Sequence, residues 1–361
     1  MTRNNEQGVW WPKTLASWRA AVPVRVWRWA RRLAAALVVL WAVVFGATYA
    51  TLRFWVLPDI GNYRQAIATR LSQAIGHNVV IGRLSGDWQG LRPRLVLEDV
   101  TVFDQAGQPA LHFNHLENVL SWWSLPAADL RLYSITIEQP DLLVRRDGAG
   151  LLYVAGIPVN RPGGDSRFAN WFLRQEHIVV RHAVVRWQDD LRQAPPIGLH
   201  DVNLALENGG TRHRFGFRAT PDADWVSAVD IRGDLHGASV DDLADWHGQL
   251  YARLGQVDLL ALQRWVTLPL EIRRGSGGVE VWLDFAARQP TELTADVRLA
   301  NVSTRLAPEL PLLDLYGLSG RIGWKKTAGG GTEIQTHRLA LSAQNDILVP
   351  PADVLVRMQP A

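Results

Sequence analysis

The chain has 361 residues, 47% of them hydrophobic, which allows a large core and excludes a disordered protein. It contains no cysteine, which excludes a disulfide framework and thiolate chemistry. The net charge of +3 comes from residues 1–32, which hold seven basic residues and one acidic residue, whereas the remainder holds 31 basic and 34 acidic residues. Such a weakly acidic body argues against a nucleic-acid partner.

Residues 1–32 are predicted to form a basic cytoplasmic tail and residues 33–57 a transmembrane anchor. Leu33–Leu52 is a run of 20 residues without a formal charge, and as a helix it spans about 30 Å, the thickness of a bilayer core. The arginines before the run predict a cytoplasmic N-terminus, because cytoplasmic flanks are rich in basic residues. A cleaved signal peptide is the main alternative, although its apolar region would be shorter. A buried soluble helix is the third interpretation.

Residues 58–76 are predicted to form an amphipathic helix that Asp59 caps and Gly76 ends. Its apolar residues recur at spacings of three and four, which places them on one side of the helix. These residues are Ile60, Tyr63, Ile67, Leu71 and Ile75.

Residues 77–361 are predicted to be mainly β. Apolar residues alternate with polar ones over most of this region, which is typical of strands with one buried face. We therefore expect a long curled antiparallel β-sheet, with an open apolar groove and a few short helices. Those helices are predicted at residues 165–176, 239–246 and 256–265.

The spacing Asp-x-x-Gly occurs seven times, where random placement gives about two occurrences. Asp at the first position of a turn and Gly at the fourth favour a β-hairpin, so all seven are predicted to be turns. They are Asp87/Gly90, Asp104/Gly107, Asp147/Gly150, Asp230/Gly233, Asp234/Gly237, Asp245/Gly248 and Asp314/Gly317.

No known catalytic motif is present, and an enzyme, a cofactor and a metal site are not expected. His112 and His115 are predicted to lie on opposite faces of a strand, which argues against shared metal ligation. Asp189/Asp190 and Asp241/Asp242 could be paired catalytic carboxylates, but a strand-end turn and a helix cap explain them better. Arg273–Gly278 could hold a phosphate, although a turn explains its glycines better.

Several strands have an apolar face that few helices are available to cover. That face belongs either to a closed sandwich or to an open groove, and periodicity does not distinguish the two. The candidate groove-lining residues are Val229, Ile231, Val279, Val281, Leu283, Phe285, Leu293, Val297 and Leu299.

The region after the apolar run carries a characteristic set of residues at fixed positions. They are Gly76, Val79, Ile81, Gly82, Gly86, Trp88, Gly90, Leu91, Pro93, Leu97, Asp99, Val100 and Val102. At these positions the chain resembles the AsmA-like family, and within it the YhdP branch. The resemblance is specific from about residue 30 to residue 160 and looser beyond.

This resemblance implies an inner-membrane anchor, a periplasmic sheet curled into an apolar groove, and movement of phospholipid toward the outer membrane in support of outer-membrane integrity. Phospholipid, the inner membrane and other envelope proteins are the implied partners. Members of the branch are much longer, so the chain resembles the N-terminal portion of a bridge-like lipid transport protein. The alternatives are a periplasmic scaffold for envelope or outer-membrane protein assembly, without lipid cargo, and an anchored hydrolase.

Overall fold

The computed structural model describes residues 24–104, 107–122, 132–158, 167–240, 242, 244–266, 271–305, 309–327, 329–343 and 347–359. The chain divides into two compact units, Met1–Val56 and Leu57–Ala361.

The described part of the first unit, residues 24–56, is one long helix, α1 (Val24–Thr51), which continues as a π-helical turn over Leu52–Val56. Arg28–Val56 is long and apolar enough to cross a membrane, and none of it is buried within the protein. The helix begins nine residues before the predicted anchor, because the arginine-rich segment is also helical. Trp29, Trp41 and Trp55 are exposed along it, as expected for side chains that meet lipid or its interface.

The second unit begins with a single 3₁₀ turn, Ile60–Tyr63, followed by helix α2 (Arg64–Ile75). Gly76 ends α2 with a left-handed backbone, φ 81°, as predicted. The predicted cap is wrong, because the Asp59 side chain makes no capping hydrogen bond. Arg64 instead fastens the helix to the sheet by donating to the Gly82 carbonyl at 2.5 Å.

The rest of the unit is an 18-stranded sheet. Its first half comprises β1 (Val79–Gln89), β2 (Arg92–Phe103), β3 (Pro109–Leu120), β4 (Leu132–Glu138), β5 (Asp141–Arg146), β6 (Leu152–Val154), β7 (Ile157–Pro158), β8 (His177–Asp189) and β9 (Ala194–Gly209). Its second half comprises β10 (Arg212–Pro221), β11 (Val229–His236), β12 (His247–Asp258), β13 (Glu271–Ala286), β14 (Gln289–Arg305), β15 (Leu313–Lys326), β16 (Thr332–Ala343), β17 (Leu348–Ala352) and β18 (Leu355–Met358).

The sheet is long and open, as predicted, but mixed rather than purely antiparallel. Strands β1 to β4 and β8 to β16 each pair antiparallel with the next, and β16 also pairs with β17 and β18. Strands β4 and β5 both pair in parallel with β8, one after the other along its length. The chain returns through β6, β7 and the helix Arg167–Leu173 before β8, and such a crossover makes the pairing parallel.

Single left-handed residues interrupt the alternation of faces in several strands. Asp99, His182, Asp201 and Asn301 have φ values of 54°, 51°, 48° and 52°, and all are residue types that tolerate this conformation. At each of them the alternation of side-chain faces shifts by one residue. Apolar residues three apart, such as Val180 and Ala183, therefore both pack in the same cluster. Bulges of this kind bend a strand and increase its twist.

This irregularity corrects the prediction for His112 and His115. Strand β3 changes phase opposite Asp99, so the apolar neighbours Leu111 and Leu116 both line the same cavity and both histidines lie on the other face. The two rings have separate partners, since His112 contacts Thr101 and Asn114 whereas His115 contacts Glu117.

Two of the predicted short helices are present, as Arg167–Leu173 and Leu259–Leu262. Asp258 caps the second, because its carboxylate accepts from the backbone N–H groups of Leu260 and Ala261. The prediction for residues 239–246 is wrong, since the described part of that segment forms no helix. The Trp246 indole instead donates to the Ser239 carbonyl at 2.8 Å.

The Asp-x-x-Gly prediction holds for two pairs, Asp104/Gly107 and Asp147/Gly150. In each pair the glycine N–H donates to the Asp carbonyl, at 3.1 and 3.0 Å, and the glycine is left-handed. In the Asp87/Gly90 pair, Gly90 forms part of the turn between β1 and β2, but Asp87 lies within β1.

The remaining four pairs are not hairpin turns, because each has a member within a strand. Asp230 and Gly233 both lie within β11. Asp230 is on the polar face, where it accepts from Arg232. Gly233 is on the apolar face under Phe215, whose Cε1 would lie 2.2 Å from an added Cβ.

Arg273–Gly278 is likewise strand, part of β13 with two register shifts, and not a turn.

We predict that Gly150→Val lowers the free energy of unfolding by about 1–2 kcal/mol, because a β-branched residue is strained in the left-handed conformation. Gly148→Val is the matched control, since Gly148 has no positive φ and an open space around its Cα. Urea unfolding followed by tryptophan fluorescence measures both. Equal stability of the two variants would contradict the turn assignment, and a chelator is expected to change neither.

Candidate functional site

The register of the sheet places one apolar residue from each of twelve strands in a single row. Directly paired residues share a face, so the row follows from the strand pairing alone. Its members, from β1 to β4 and β8 to β15, are Leu84, Leu97, Leu116, Ile137, Val180, Leu204, Phe217, Ile231, Ala252, Val281, Ala295 and Ile322.

A second row runs beside the first, two residues along each strand. Its members are Leu95, Asn118, Ile135, Ile178, Leu206, Phe215, Gly233, Leu250, Leu283, Leu293, Trp324 and Ile334. Only Asn118 in this row is polar. Together the two rows make an apolar face that extends across most of the sheet, with Asn118 as its one polar member.

All nine predicted lining residues lie on this face. Val279, Val281 and Leu283 of β13 pair directly with Val297, Ala295 and Leu293 of β14, and the residues of β11 continue the same rows. The alternation puts Glu280, Trp282 and Asp284 on the opposite face, as the sequence predicted. Contact of these residues with lipid stays a prediction.

Three of the nine residues also pack into a small core near one end of strands β11 to β14. Val226, Val257, Leu259 and Ile272 are buried there, and the helix Leu259–Leu262 contributes to the cluster. The predicted lining residues that pack against this core are Val229, Val279 and Leu299. They therefore have a structural role whether or not a ligand reaches them.

A second covered region lies over the start of the sheet. Helix α2 and the helix Arg167–Leu173 pack there around a cavity of about 250 Å³, which we call the covered cavity. Its lining comprises Ile60, Ile67, Leu71, Ile75, Val79, Leu95, Leu97, Val100, Val102, Leu111, Phe113, Leu116, Asn118, Leu120, Leu132, Ile135, Ile137, Trp171 and Phe172. Sequence reasoning identified the stripe of α2 but missed this chamber, which depends on contacts between distant segments.

Ile231, Val281, Leu283 and Leu293, which we call the central face, are less completely covered. In the same rows Leu95 and Ile178 are 5% and 0% exposed, whereas the four central residues are only half-buried, as are Leu116 and Ile137 in the lining of the covered cavity. The core of a closed sandwich would bury all of these residues as fully as Leu95 and Ile178. The central face is therefore accessible from outside the sheet.

The opposite face carries cross-strand ion pairs in place of apolar residues. Arg212 contacts Asp234 at 2.5 Å, Arg214 contacts Glu207 at 2.6 Å and Lys325 contacts Glu292 at 2.8 Å. These pairs are solvent-exposed, so each contributes at most about 1 kcal/mol to stability. Their main effect is to keep this face hydrated and nearly neutral in charge.

The Asp296–Arg321 pair shows the electrostatics of this face in detail. The hydrogen bond from Arg321, at 2.6 Å, lowers the pKa of the Asp296 carboxyl, and the arginine charge adds to the effect. Arg321 also lies 5.6 Å from the ring centroid of Trp282, which in turn contacts Tyr251. Trp282 is thus held among polar and aromatic groups on the face away from the apolar rows.

The carboxylate pair Asp189/Asp190 is structural. Burial raises the pKa of the Asp189 carboxyl, but the hydrogen bonds and charges of Arg146 and Arg192 outweigh that effect, and the net shift of the pKa is downward. Asp190 accepts from Arg145 at 2.6 Å. Both acids are ion-paired partners of strand β5. The Asp241 half of the other pair lies outside the described residues. No cluster of three or more metal-ligating side chains occurs in the described ranges.

Comparison with curated proteins found no match, and comparison with solved structures found none. A family model described as YhdP protein matches residues 14–361, nearly the whole chain. The resemblance that the sequence motifs carry is thereby confirmed, and the chain belongs to the YhdP family.

Proposed function

We propose that the chain is a single-pass inner-membrane protein whose periplasmic sheet carries phospholipid toward the outer membrane. Membership of the YhdP family indicates an envelope protein of the lipid-transport type. The observation that carries the proposal is the apolar row that continues through twelve strands of an open sheet.

The free-energy cost of exposing acyl chains to water explains what such a row can do for a lipid. Each methylene transferred to water costs about 0.8 kcal/mol, so a phospholipid with about thirty methylenes faces a cost of roughly 24 kcal/mol. A continuous apolar face lowers that cost at every step, because the apolar side chains of one strand are replaced by those of the next strand as the lipid moves along the rows. The charged headgroup can stay in water beside the open central face.

No catalytic residue is required for this function, since no covalent bond changes. The carboxylates that could have formed a hydrolytic pair are engaged with arginines, as Asp189 is with Arg146 and Asp190 with Arg145. We therefore propose that the protein is not an enzyme.

The proposed orientation has Met1 in the cytoplasm and the sheet in the periplasm. Helix α1 has no acidic residue in its first turn, although the helix dipole favours acids there. Arg28, Arg31 and Arg32 follow in the next turns. Basic residues in this position are unfavourable for the helix alone and are explained by retention on the cytoplasmic side.

A reporter enzyme that is active only after export is expected to be active when fused after Pro58. A tag placed before Met1 is expected to remain on the mature protein, because the anchor is not cleaved. A mature product beginning near Thr51, or a reporter that stays inactive, would contradict this orientation.

Val281→Asp is expected to block lipid passage and leave the sheet folded. Val281 lies on the central face between Ala252 and Ala295, whose small side chains leave space for water around a carboxylate. In a closed core the same unpaired charge would cost several kcal/mol and unfold the unit. Circular dichroism reports the fold, and lipid transfer from inner-membrane to outer-membrane fractions reports passage.

A photo-crosslinking amino acid at Val281, compared with one at Trp282, provides the control for this variant. Lipid adducts are expected at residue 281 and are expected to be weak at residue 282 on the opposite face. Equal labelling at both positions would contradict the assignment of the lipid path. Protein adducts without lipid at residue 281 would favour a periplasmic scaffold.

A further inference from the structure

Asn118 is an exception among the buried polar side chains. It is 7% exposed, and it lies between Leu95 and Ile135 in an otherwise apolar row. Among the lining residues of the covered cavity it is the one amide, and the indole N–H of Trp171 is the other polar side-chain group. Within the described part of the chain, its amide group forms no hydrogen bond with another residue.

The buried indole N–H of Trp171, in the same lining, also has no partner. The other buried amide, hydroxyl, carboxyl and imidazole side chains in the described ranges are all engaged. Gln175, for example, accepts from the Leu132 N–H at 3.0 Å and donates to the Trp171 carbonyl at 2.7 Å. The remaining five are Ser121, Asp189, His213, Ser303 and Thr304. An unpaired buried amide costs about 1–3 kcal/mol, which leucine at the same position would avoid. The group that satisfies Asn118 is therefore to be sought in the cavity.

Water does not fill this role well. A buried water molecule is held by two to four polar partners, whereas apolar cavities stay dry. Asn118 and the Trp171 indole offer two polar groups, the lower limit for a water molecule, in a chamber lined otherwise by aliphatic and aromatic carbon. A ligand that is apolar along most of its length, with one hydrogen-bond acceptor, fits the lining better.

The size of the cavity agrees with an acyl chain. An apolar cavity of about 150 Å³ binds benzene, and the covered cavity measures about 250 Å³, which leaves space for a run of methylenes. The amide of Asn118 carries two donor hydrogens, which suit the carbonyl oxygen at the head of such a chain.

We propose that the covered cavity binds an acyl chain of an ester-linked phospholipid, with the ester carbonyl accepting a hydrogen bond from Asn118. The proposal rests on the proposed lipid-carrying function and adds a defined site to it. This site lies in the first part of the chain after the apolar helix, because α2, which covers it, begins at Arg64. Lipid at this site is recognised by one polar contact, whereas the central face offers apolar contact alone.

The test compares two phosphatidylethanolamines with the same chains, one ester-linked and one ether-linked, on the detergent-purified full chain. The ether lipid lacks the carbonyl and is otherwise matched. Displacement of a fluorescent fatty acid probe gives both affinities. We expect the wild-type chain to prefer the ester lipid about tenfold, the change that 1.4 kcal/mol produces. Equal affinities in the wild-type chain would overturn the proposal without needing any variant.

Asn118→Leu is expected to abolish the ester preference while leaving affinity for the ether lipid unchanged or higher. Asn118→Ser keeps a donor and is expected to retain part of the preference. A preference that persists undiminished in Asn118→Leu would overturn the assignment to this residue.

Two further outcomes separate this inference from the proposed function. Binding of both lipids without a carbonyl preference would sink the site while leaving lipid carriage intact, whereas binding of neither lipid would contradict both. A free fatty acid that displaces the probe where the ester phospholipid does not would overturn the assignment to phospholipid.

Discussion

The hydrogen-bond register of the sheet is the constraint on which the rest of the structure depends. Each ladder pairs an apolar residue with an apolar residue, so a row that starts at Leu84 in β1 reaches Ile322 in β15 without a polar interruption. A slip of one residue in any ladder would move that strand's apolar residues to the other face. The ion pairs on the polar face, such as Arg321 with Asp296, disfavour such a slip because they too require this register.

The two faces of the sheet have different surroundings. The polar face is covered by water and balanced in charge, whereas the apolar face is covered by helices at the start of the sheet and near the Ile272 core. Between these regions the central face is only half-buried. A path with a chamber at one part and an open face at another suits a ligand that enters, moves and leaves, which a uniformly packed core would not permit.

Much of the face assignment was predictable from sequence, because alternation in segments such as Val279–Phe285 is local. The parallel pairing of β4 and β5 with β8 was not predictable from sequence, since it depends on the path by which the chain returns to the sheet before β8. Asp230 and Gly233 were predicted to form a turn, because an acid on the polar face and a glycine on the apolar face of one strand can have the same Asp-x-x-Gly spacing as a turn. Asn118 carried a usable signal, as its position two residues from Leu116 placed it on the apolar face.

Mass spectrometry of lipid extracted from the purified full chain shows whether the apolar face holds lipid. Residues 1–57, purified in the same detergent, provide the background due to the anchor. We expect phospholipid in stoichiometric excess over that background when the sheet is present. A full chain that retains no more lipid than residues 1–57 would contradict lipid binding by the sheet.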